Sequence, residues 1–281
     1  LSPAHDVAPL RAALCRQLAR TGRAIVRGSR GASGSALLVV AKSPGAIDAA
    51  LLQVAGRRDN HIYLVEAMLE LVVSPNVLVH VEPGTGRVRC VGLSDQRLDA
   101  GLAHSGNVCP TRATTAGEMV AAACRLAGWL RRDGFTGLAG FDFVDYQQPG
   151  SSRRDFVLAE VNARTNGAAY PKCAMDHLNA GQTRQGRPAL GAFLAADDLH
   201  TTLRSFAALR ERCASLLFDP GAGRGVLPYN TGSLVRGRLR AVAFGQTRAE
   251  VEALHAAFCS RISSADPGVA GPGDSSARHR R

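Results

Sequence analysis

Two stretches of alternating apolar and polar residues, 137–146 and 155–162, constrain the fold of this chain most strongly. Such alternation is typical of β-strands, and the connecting segment QQPGSSRR is rich in turn-forming residues. The two stretches therefore predict a β-hairpin. With the turn centred on Ser151, Asp142 lies opposite Glu160. The same turn sets the register of two further pairs, Val144 with Leu158 and Tyr146 with Phe156.

The predicted hairpin places two carboxylates directly across a strand pair. At about 5 Å and an effective dielectric constant of about 20, they repel each other by roughly 3 kcal/mol. A cation would offset this repulsion, and Asn162 adds an amide on the same face. Carboxylate and amide oxygens suit Mg²⁺, which prefers a few carboxylates plus substrate phosphates to an all-protein cage. The alternative is a solvated polar strand face.

A glycine-rich segment, 28–36, lies between two short apolar stretches, RAIVR and LLVVA. Glycines permit backbone conformations in which successive N–H groups point at an anion. The segment lacks the Gly-Lys-Ser/Thr of a Walker A motif, and a predicted strand rather than a helix follows it, which excludes a Rossmann fingerprint. It therefore predicts either a phosphate-covering loop or a plain hairpin turn.

The remaining pattern is that of mixed helices and strands. Apolar periodicity and turn residues predict the following elements: helices at 7–20, from Ser43-Pro44 to 55, 115–132, 168–179, 199–213 and 246–262; strands at 61–69, 76–82, 87–95, 214–219, 224–232 and 233–244; a polar loop at 96–110; and a disordered tail at 263–281.

Composition limits the classes of function. With 281 residues and 46% apolar content, the chain can bury a full core as one large domain or two lobes. No run of 18 apolar residues exists, which predicts no membrane span. The seven cysteines show no CxxC or zinc spacing, so we expect reduced thiols in a cytoplasmic protein. The net charge of +11 comes almost entirely from arginine, without an aromatic-studded basic strand, which argues against a nucleic-acid partner.

The sequence Glu-Val-Asn-Ala-Arg at 160–164, facing Asp142, resembles the metal hairpin of the ATP-grasp superfamily of carboxylate–amine ligases. The resemblance covers residues 20–180 and extends to peptide ligases of natural-product biosynthesis. It implies an α+β fold in which two lobes with antiparallel sheets hold ATP between them. It also implies an acyl-phosphate reaction that joins a carboxylate to an amine and yields ADP and phosphate.

The resemblance assigns roles to individual residues. Asp142, Glu160 and Asn162 would hold Mg²⁺, with Mn²⁺ as an alternative, and Arg164 and Arg27 would stabilise charge during the reaction. The family usually has a lysine where this chain has Arg27. The implied ATP contacts are Arg27, Gly28, Ser29, Gly31, Ser33, Gly34, Glu66, Ala67, Met68 and Glu70; the implied substrate contacts are His104, Asn107 and Lys172.

The same resemblance predicts the domain organisation. An ATP-grasp region would span 1–200, with a glycine-loop lobe at 20–70 and a metal-hairpin lobe at 71–200, followed by a strand–strand–helix portion at 201–262. Family members carry a further basic residue and an N-terminal domain upstream, so we expect this chain to be the C-terminal part of a longer enzyme. A nucleotide-binding or interaction module without catalysis is the alternative. Substrates would be small molecules, and the oligomeric state stays open.

The arginine-based charge generates a first prediction. Because no base-stacking surface accompanies the charge, any DNA binding rests on phosphate contacts and disappears by about 200 mM salt. Fluorescence anisotropy with a labelled duplex across a salt series measures this. Nanomolar DNA binding that persists at that salt concentration would contradict the view that the positive charge has no specific role in nucleic-acid binding.

Overall fold

The computed structural model describes residues 7–28, 37–56, 62–148 and 150–263. Four predicted ATP contacts in the glycine loop, Ser29, Gly31, Ser33 and Gly34, lie outside these residues, as does the tail from 264 on. Within the described ranges, no helix has the length and apolar character needed to cross a membrane.

The first part of the chain builds a small three-stranded sheet covered by two helices. Its strands are antiparallel, in the order β2-β1-β3. Gly22 ends the first helix in the left-handed region at φ 70°. One sheet face packs on the helices through Leu14, Leu18, Val26 and Val54. The elements are α1 (Ala8–Thr21), β1 (Arg23–Gly28), β2 (Leu37–Ala41), α2 (Ala46–Ala55) and β3 (Tyr63–Ala67).

The rest of the chain forms a nine-stranded antiparallel sheet. Its strand order is β11-β12-β10-β7-β6-β5-β8-β4, with β9 also paired to β8. The strands are β4 (Leu71–Val73), β5 (Pro75–Val81), β6 (Val88–Leu98), β7 (His104–Cys109), β8 (Gly137–Gln147), β9 (Arg154–Asn162), β10 (Ala192–His200), β11 (Gly225–Tyr229) and β12 (Arg238–Gly245). The helices are α3 (Ala116–Arg132), α4 (Ala169–Arg184), α5 (Phe206–Cys213) and α6 (Arg248–Ser263).

Strand alternation gives this sheet two chemically different faces at β5 and β8. On one face, Val77, Val79, Phe141 and Phe143 pack under the α3 helix as a buried core. The intervening residues, among them Asn76 and Asp142, project from the opposite face. At the other end of the sheet, α5 and α6 cover one face of β10 and β12, and α4 covers the other. The α3 core therefore leaves a polar sheet face free for a site.

The predicted hairpin is confirmed, and one part of its register is wrong. Asp142 pairs with Glu160, as expected. A β-bulge at Ala159 then shifts the remaining pairs by one residue, because two residues of β9 oppose one step of β8. In place of the predicted partners, the structure pairs Val144 with Val157 and Tyr146 with Asp155.

The predicted loop at 96–110 is also wrong. Strand β6 continues to Leu98, and β7 occupies His104–Cys109 between β6 and β10. Gln96, His104 and Asn107, which suggested a loop, line the cavity on the polar face of the sheet. They are polar because they face this cavity, and the backbone that carries them is part of the sheet. The strand also tolerates Gly106 at φ 146°, where Ala195 approaches closely.

Several element bounds differ from the prediction. The second helix begins at Ala46 rather than at Pro44, because Gly45 adopts a left-handed conformation at φ 74°. The predicted helix at 199–213 begins only at Phe206, since strand β10, absent from the prediction, runs to His200. A 3-10 turn, Ala214–Leu216, replaces the predicted strand at 214–219, and another, Thr231–Arg236, precedes β12. Ser263 ends helix α6 and is not part of a tail.

Strand β10 lies between β7 and β12 in the sheet, so the residues on either side of 200 share one layer. The structure does not by itself separate a C-terminal unit there. The division of the chain near residue 200 therefore stays a prediction.

Gly106 generates a prediction about stability. A Cβ there would overlap the carbonyl oxygen of Ala195 while the residue keeps a φ of 146° that L-residues resist. We expect Gly106→Ala to lower the free energy of unfolding by about 2 kcal/mol or more. Gly128→Ala, in open space within α3, should instead raise it by up to about 1 kcal/mol. Denaturant unfolding of both variants measures this, and equal effects would contradict the close approach.

Candidate active site

A cavity of about 280 Å³ lies between the three-stranded sheet and the polar face of the nine-stranded sheet. Its lining draws on both sheets and on the loop after β9. The predicted site residues that line it are Arg27, Glu66, Ala67, Met68, His104, Asn107, Asp142, Glu160, Asn162 and Arg164. The structure thus brings together ten residues that are spread over 138 positions of sequence.

Asp142 is the buried centre of the site. Its two carboxylate oxygens accept hydrogen bonds from Asn76 Nδ2 at 2.5 Å and from Asn162 Nδ2 at 2.9 Å. The pKa of Asp142 is raised to about 6, chiefly by burial and in smaller part by the facing Glu160 carboxylate. The amide donors of Asn76 and Gln96 act in the opposite direction on this pKa. Burial therefore makes the charged form of Asp142 costly unless a cation stands nearby.

The donor set fits Mg²⁺ that is shared with a ligand. Among the described residues, no group of three His, Cys, Asp or Glu side chains stands close enough to hold a metal ion alone. Asp142, Glu160 and Asn162 offer two carboxylates and an amide, which suits a cation that keeps waters or phosphates as further ligands. The neighbouring Asn76 Oδ1 is buried and has no hydrogen-bond partner in the described part of the chain, which leaves an unused oxygen acceptor in the site.

Arg27 joins the two sheets across the cavity. Its Nε donates to Glu66 Oε2 at 2.9 Å, and one terminal nitrogen donates to the Ala159 carbonyl at 2.9 Å. Ala159 is the bulged residue of β9, so the bulge supplies the carbonyl that Arg27 binds. Gly28 ends β1 beside Arg27, where the glycine loop begins.

The segment 67–71 connects the three-stranded sheet to the nine-stranded sheet and is called the hinge below; its side of the cavity is largely apolar. Glu66, Ala67 and Met68 line it together with Leu69 and Leu71. Across from them lie the β8 and β9 side chains Val144, Val157 and Leu158. Such a slot suits a flat, largely apolar ring. Glu70 is exposed and does not line the cavity.

Arg164 and Lys172 have different surroundings. The Arg164 guanidinium lines the cavity and, within the described ranges, donates to the neighbouring Thr165 carbonyl at 3.3 Å. In the described part of the chain, no carboxylate lies within ion-pair distance of it. Lys172 sits on α4 outside the cavity lining, where it pairs with Asp176 at 2.5 Å and packs over Gly92.

His104 and Asn107 stand on β7 and bond to each other, with His104 Nε2 2.9 Å from Asn107 Oδ1. His104 Nδ1 lies 3.3 Å from Asp197 Oδ2. Burial alone would lower the pKa of His104, but its hydrogen bonds to Asp197 and Asn107 outweigh burial and raise the pKa. The same contact helps to lower the pKa of Asp197, against the effect of its own burial.

Sequence reasoning missed several residues of this site: Asn76, Gln96, Asn166, Asp197 and Tyr229. Asn76 sits in a strand that the sequence did predict, on the face opposite the α3 core, whereas Gln96 was placed in the predicted loop at 96–110. Period-two alternation beginning from Val77 would have placed Asn76 on the same face as Asp142. Asp197 had no such signal, since β10 was not predicted.

Comparison with known proteins supports the fold. No protein-family model and no curated protein sequence matches the chain. N5-carboxyaminoimidazole synthetase from Staphylococcus aureus, complexed with ADP, matches with a TM-score of 0.57 and 11% identity over 89% of this chain and 64% of that chain. The Aspergillus clavatus synthase, complexed with ADP and 5-aminoimidazole ribonucleotide, matches with a TM-score of 0.60 and 12% identity, over 92% and 66%.

Biotin carboxylase from Campylobacter jejuni, in a β,γ-ATP complex, matches with a TM-score of 0.55 and 15% identity over 82% of this chain and 55% of that chain. These proteins are ATP-grasp enzymes, so the expected α+β ATP-grasp fold is confirmed. At these identities the similarity concerns the fold. The chain spans about two thirds of the length of the two synthetases, 64% and 66%.

The raised pKa of Asp142 generates a prediction. Its folded pKa of about 6 exceeds the ordinary 3.8, so the folded chain binds the extra proton and loses stability as pH rises between these values. In metal-free buffer we expect this group to lower the free energy of unfolding by about 2 kcal/mol between pH 4 and about 6.5. Asp142→Asn removes this decline, and Asp133→Asn, at the exposed end of α3, keeps it.

Denaturant unfolding across that pH range, with a chelator present, measures the decline in all three proteins. If Asp142→Asn and the wild type show the same pH dependence of stability, the buried Asp142 carboxylate is not the source of the decline.

Proposed function

We propose that this chain is an ATP-dependent ligase that joins a carboxylate to an amine, of amino acid or peptide type, with Mg²⁺ as its metal and Mn²⁺ as an alternative. One observation carries the proposal: Asp142 and Glu160 lie directly opposite each other on β8 and β9, inside a cavity. Facing carboxylates destabilise a strand pair unless a cation separates them. The shared fold of ADP- and ATP-bound enzymes supports the same assignment.

The nucleotide would lie in the cavity with its base at the hinge. The backbone of Glu66, Ala67 and Met68 offers hydrogen-bonding groups along one edge, and Val157 and Leu158 offer apolar contact. Glu70 is exposed near this end, and a ribose contact for it stays a proposal. Gly28 and the loop after it would cover the phosphates.

Arg27 would hold the phosphates from the other sheet. Its guanidinium already bonds to Glu66 and to Ala159, and these contacts fix its plane at the cavity wall. Arginine presents several N–H donors, so it can keep one such bond while turning another toward phosphate. Binding of the nucleotide would thereby also change the contact that Arg27 makes between the two sheets.

The chain's task is alignment and charge neutralisation. Bound Mg·ATP supplies a γ-phosphoryl group, which the substrate carboxylate takes as an acyl phosphate before an amine displaces phosphate and forms the amide. Asp142, Glu160 and Asn162 would place the metal, and Arg164, free of any carboxylate among the described residues, would face the charge that develops on the transferred group.

We expect this ligase to act on small molecules. Its partners would be a carboxylate and an amine, with no nucleic acid. A cytoplasmic location with reduced thiols is also proposed, because the seven scattered cysteines show no CxxC or zinc spacing. His104 and Asn107 line the cavity and remain proposed substrate contacts, whereas Lys172 could contact substrate only after leaving Asp176.

Glu160→Gln tests this function. Glutamine is nearly isosteric and neutral, so it relieves the repulsion with Asp142 while it removes a charged metal ligand. We expect the melting temperature without magnesium to hold or rise slightly. ATP-dependent phosphate release, measured in the complete enzyme with its substrates, should fall by several orders of magnitude. Calorimetry should show magnesium-dependent ATP binding by the unaltered protein, weakened in this variant.

Glu211→Gln, exposed on α5, is the matched control and should leave both measurements unchanged. Unchanged phosphate release in Glu160→Gln would remove Glu160 from the site. Absence of ATP binding by a folded chain would count against the whole proposal. ATP binding without phosphate release in the complete enzyme would instead support a nucleotide-binding module without catalysis.

A further inference from the structure

The turn between β6 and β7 holds a leucine in a backbone conformation that leucine rarely adopts. Leu102 has a φ of 65°, in the left-handed region, where a bulky side chain crowds the backbone. The other described residue with a positive φ that is not a glycine is Asn230, and asparagine tolerates this region better. An outlier of this kind persists only when the surrounding structure holds it, and it points to a use for the residue.

Hydrogen bonds that involve Asp99 hold Leu102 in this turn. The N–H groups of Gly101 and Ala103 each donate to Asp99 Oδ1 at 2.8 Å. The Leu102 N–H donates to the Asp99 carbonyl at 3.0 Å, and the Asp99 N–H donates to the Ala103 carbonyl at 2.9 Å. Gly101 could adopt a left-handed conformation at low cost, yet it has no positive φ. The turn therefore has leucine, and not its glycine, at the left-handed position.

Leu102 and Leu98 both line the cavity, one from the turn and one from the end of β6. Both are partly buried. Leu98 pairs with His104 on β7, where a β-bulge makes Ser105 an extra residue. Leu98 and Leu102 thus form an apolar surface on the β6–β7 side of the cavity, which we call the leucine wall.

The polar residues of β7 beside the leucine wall already have partners within the protein. His104 Nε2 lies 2.9 Å from Asn107 Oδ1, and His104 Nδ1 lies 3.3 Å from Asp197 Oδ2, which balances any charge on the ring. The Asn107 amide nitrogen donates to Ser94 Oγ at 3.3 Å. Among the described residues, this side of the cavity therefore offers a ligand apolar surface rather than a free donor or a net charge.

The leucine wall lies outside the part of the cavity proposed for the nucleotide. The residues proposed to bind ATP and its metal lie on the three-stranded sheet, the hinge and the β8–β9 hairpin, and none of them lies on β6 or β7. Strand β5 separates β6 from β8 in the sheet. At about 4.8 Å per strand, the backbone of β6 is thus at least roughly 10 Å from that of Asp142. A carboxylate group beside a metal-bound phosphate does not fill this span, so the rest of the substrate extends across it.

We propose that the carboxylate substrate carries an aliphatic side chain of about the size of leucine, and that this side chain packs on the leucine wall. The inference rests on the proposed function and names the substrate class that the same site selects. The wall determines specificity because it adds apolar contact for an aliphatic group. A polar side chain of the same shape would lose its hydrogen bonds to water there and gain none.

Calorimetry in the presence of Mg·ADP tests the substrate class, because ADP occupies the nucleotide site and has no γ-phosphoryl group to transfer. The probes are N-acetyl-L-leucine, its polar near-isostere N-acetyl-L-asparagine, and N-acetylglycine, which has no side chain. Each buried methylene raises affinity about four-fold, so we expect N-acetyl-L-leucine to bind roughly ten-fold or more tightly than either of the others. The methyl NMR signals of Leu98 and Leu102 should shift with N-acetyl-L-leucine.

Leu102→Asn separates a binding role from a structural one. Asparagine has a similar shape and tolerates the left-handed conformation, so the melting temperature should hold or rise. The affinity for N-acetyl-L-leucine should fall roughly five-fold or more because apolar contact is lost, while the affinity for Mg·ADP stays the same. Leu98→Asn alters the same wall on a strand and should also weaken N-acetyl-L-leucine. Leu52→Asn, 77% exposed on α2 and outside the cavity lining, is the matched control and should bind as the wild type does.

Equal affinity for the leucine and asparagine probes, or no binding of N-acetyl-L-leucine, would overturn the inference. An equal loss of Mg·ADP affinity in Leu102→Asn would assign the wall to the nucleotide and contradict it. A lower melting temperature with unchanged probe binding would assign Leu102 to packing and contradict it as well. If Leu102→Asn does not fold, Leu98→Asn decides between the same outcomes. Mg·ADP binding by the unaltered chain separates all of these from failure of the proposed function, which a folded chain without Mg·ADP binding would show.

Discussion

The opposition of Asp142 and Glu160 is the constraint on which the site depends. A strand pair normally avoids like charges at facing positions, and burial of Asp142 makes the conflict worse. The surrounding residues reduce the conflict without removing it, because Asn76 and Asn162 donate neutral amide hydrogens and bring no positive charge. Within the described ion pairs, the two facing carboxylates thus have no cationic side chain as a partner.

The α3 core provides the stability that this arrangement costs. Val77, Val79, Phe141 and Phe143 are fully buried on the face opposite the carboxylates. Arg154 on β9 forms an ion pair with the buried Asp145 on β8. This pair holds the two strands together at the turn end of the hairpin. The packing of the strands on the α3 core therefore holds the polar residues in place. Asp142 and Glu160 stay opposite each other because of this packing, and not because of any attraction between them.

The sequence was sufficient for features that follow from simple periodicity. Alternation in β8 and β9 predicted the hairpin and the pairing of Asp142 with Glu160, and the apolar spacing of α3 predicted its length within one residue. The bulges were beyond this reasoning, because it assumed an unbroken period of two, and a bulge at Ala159 or Ser105 shifts that period by one residue. Polar strands such as β7 were mistaken for a loop, since their residues serve the site and not the core.

The charge balance of the cavity links these features. Of the basic residues that line it, Arg27 is paired with Glu66 and His104 with Asp197, and Arg164 alone has no carboxylate beside it among the described residues. Asp142 and Glu160 are likewise without a cationic partner in the described ion pairs.

The uncompensated charges are thus two carboxylates on the hairpin and one guanidinium four residues after Glu160. A divalent cation would balance the two carboxylates, and an anion would balance the guanidinium. Because Glu160 lies near the end of β9 and Arg164 follows that strand, a ligand that satisfies both must itself carry a metal-bound anion beside a second anionic group. Mg·ATP next to a substrate carboxylate has this distribution of charge, whereas a neutral metabolite would leave both sets of charges unpaired.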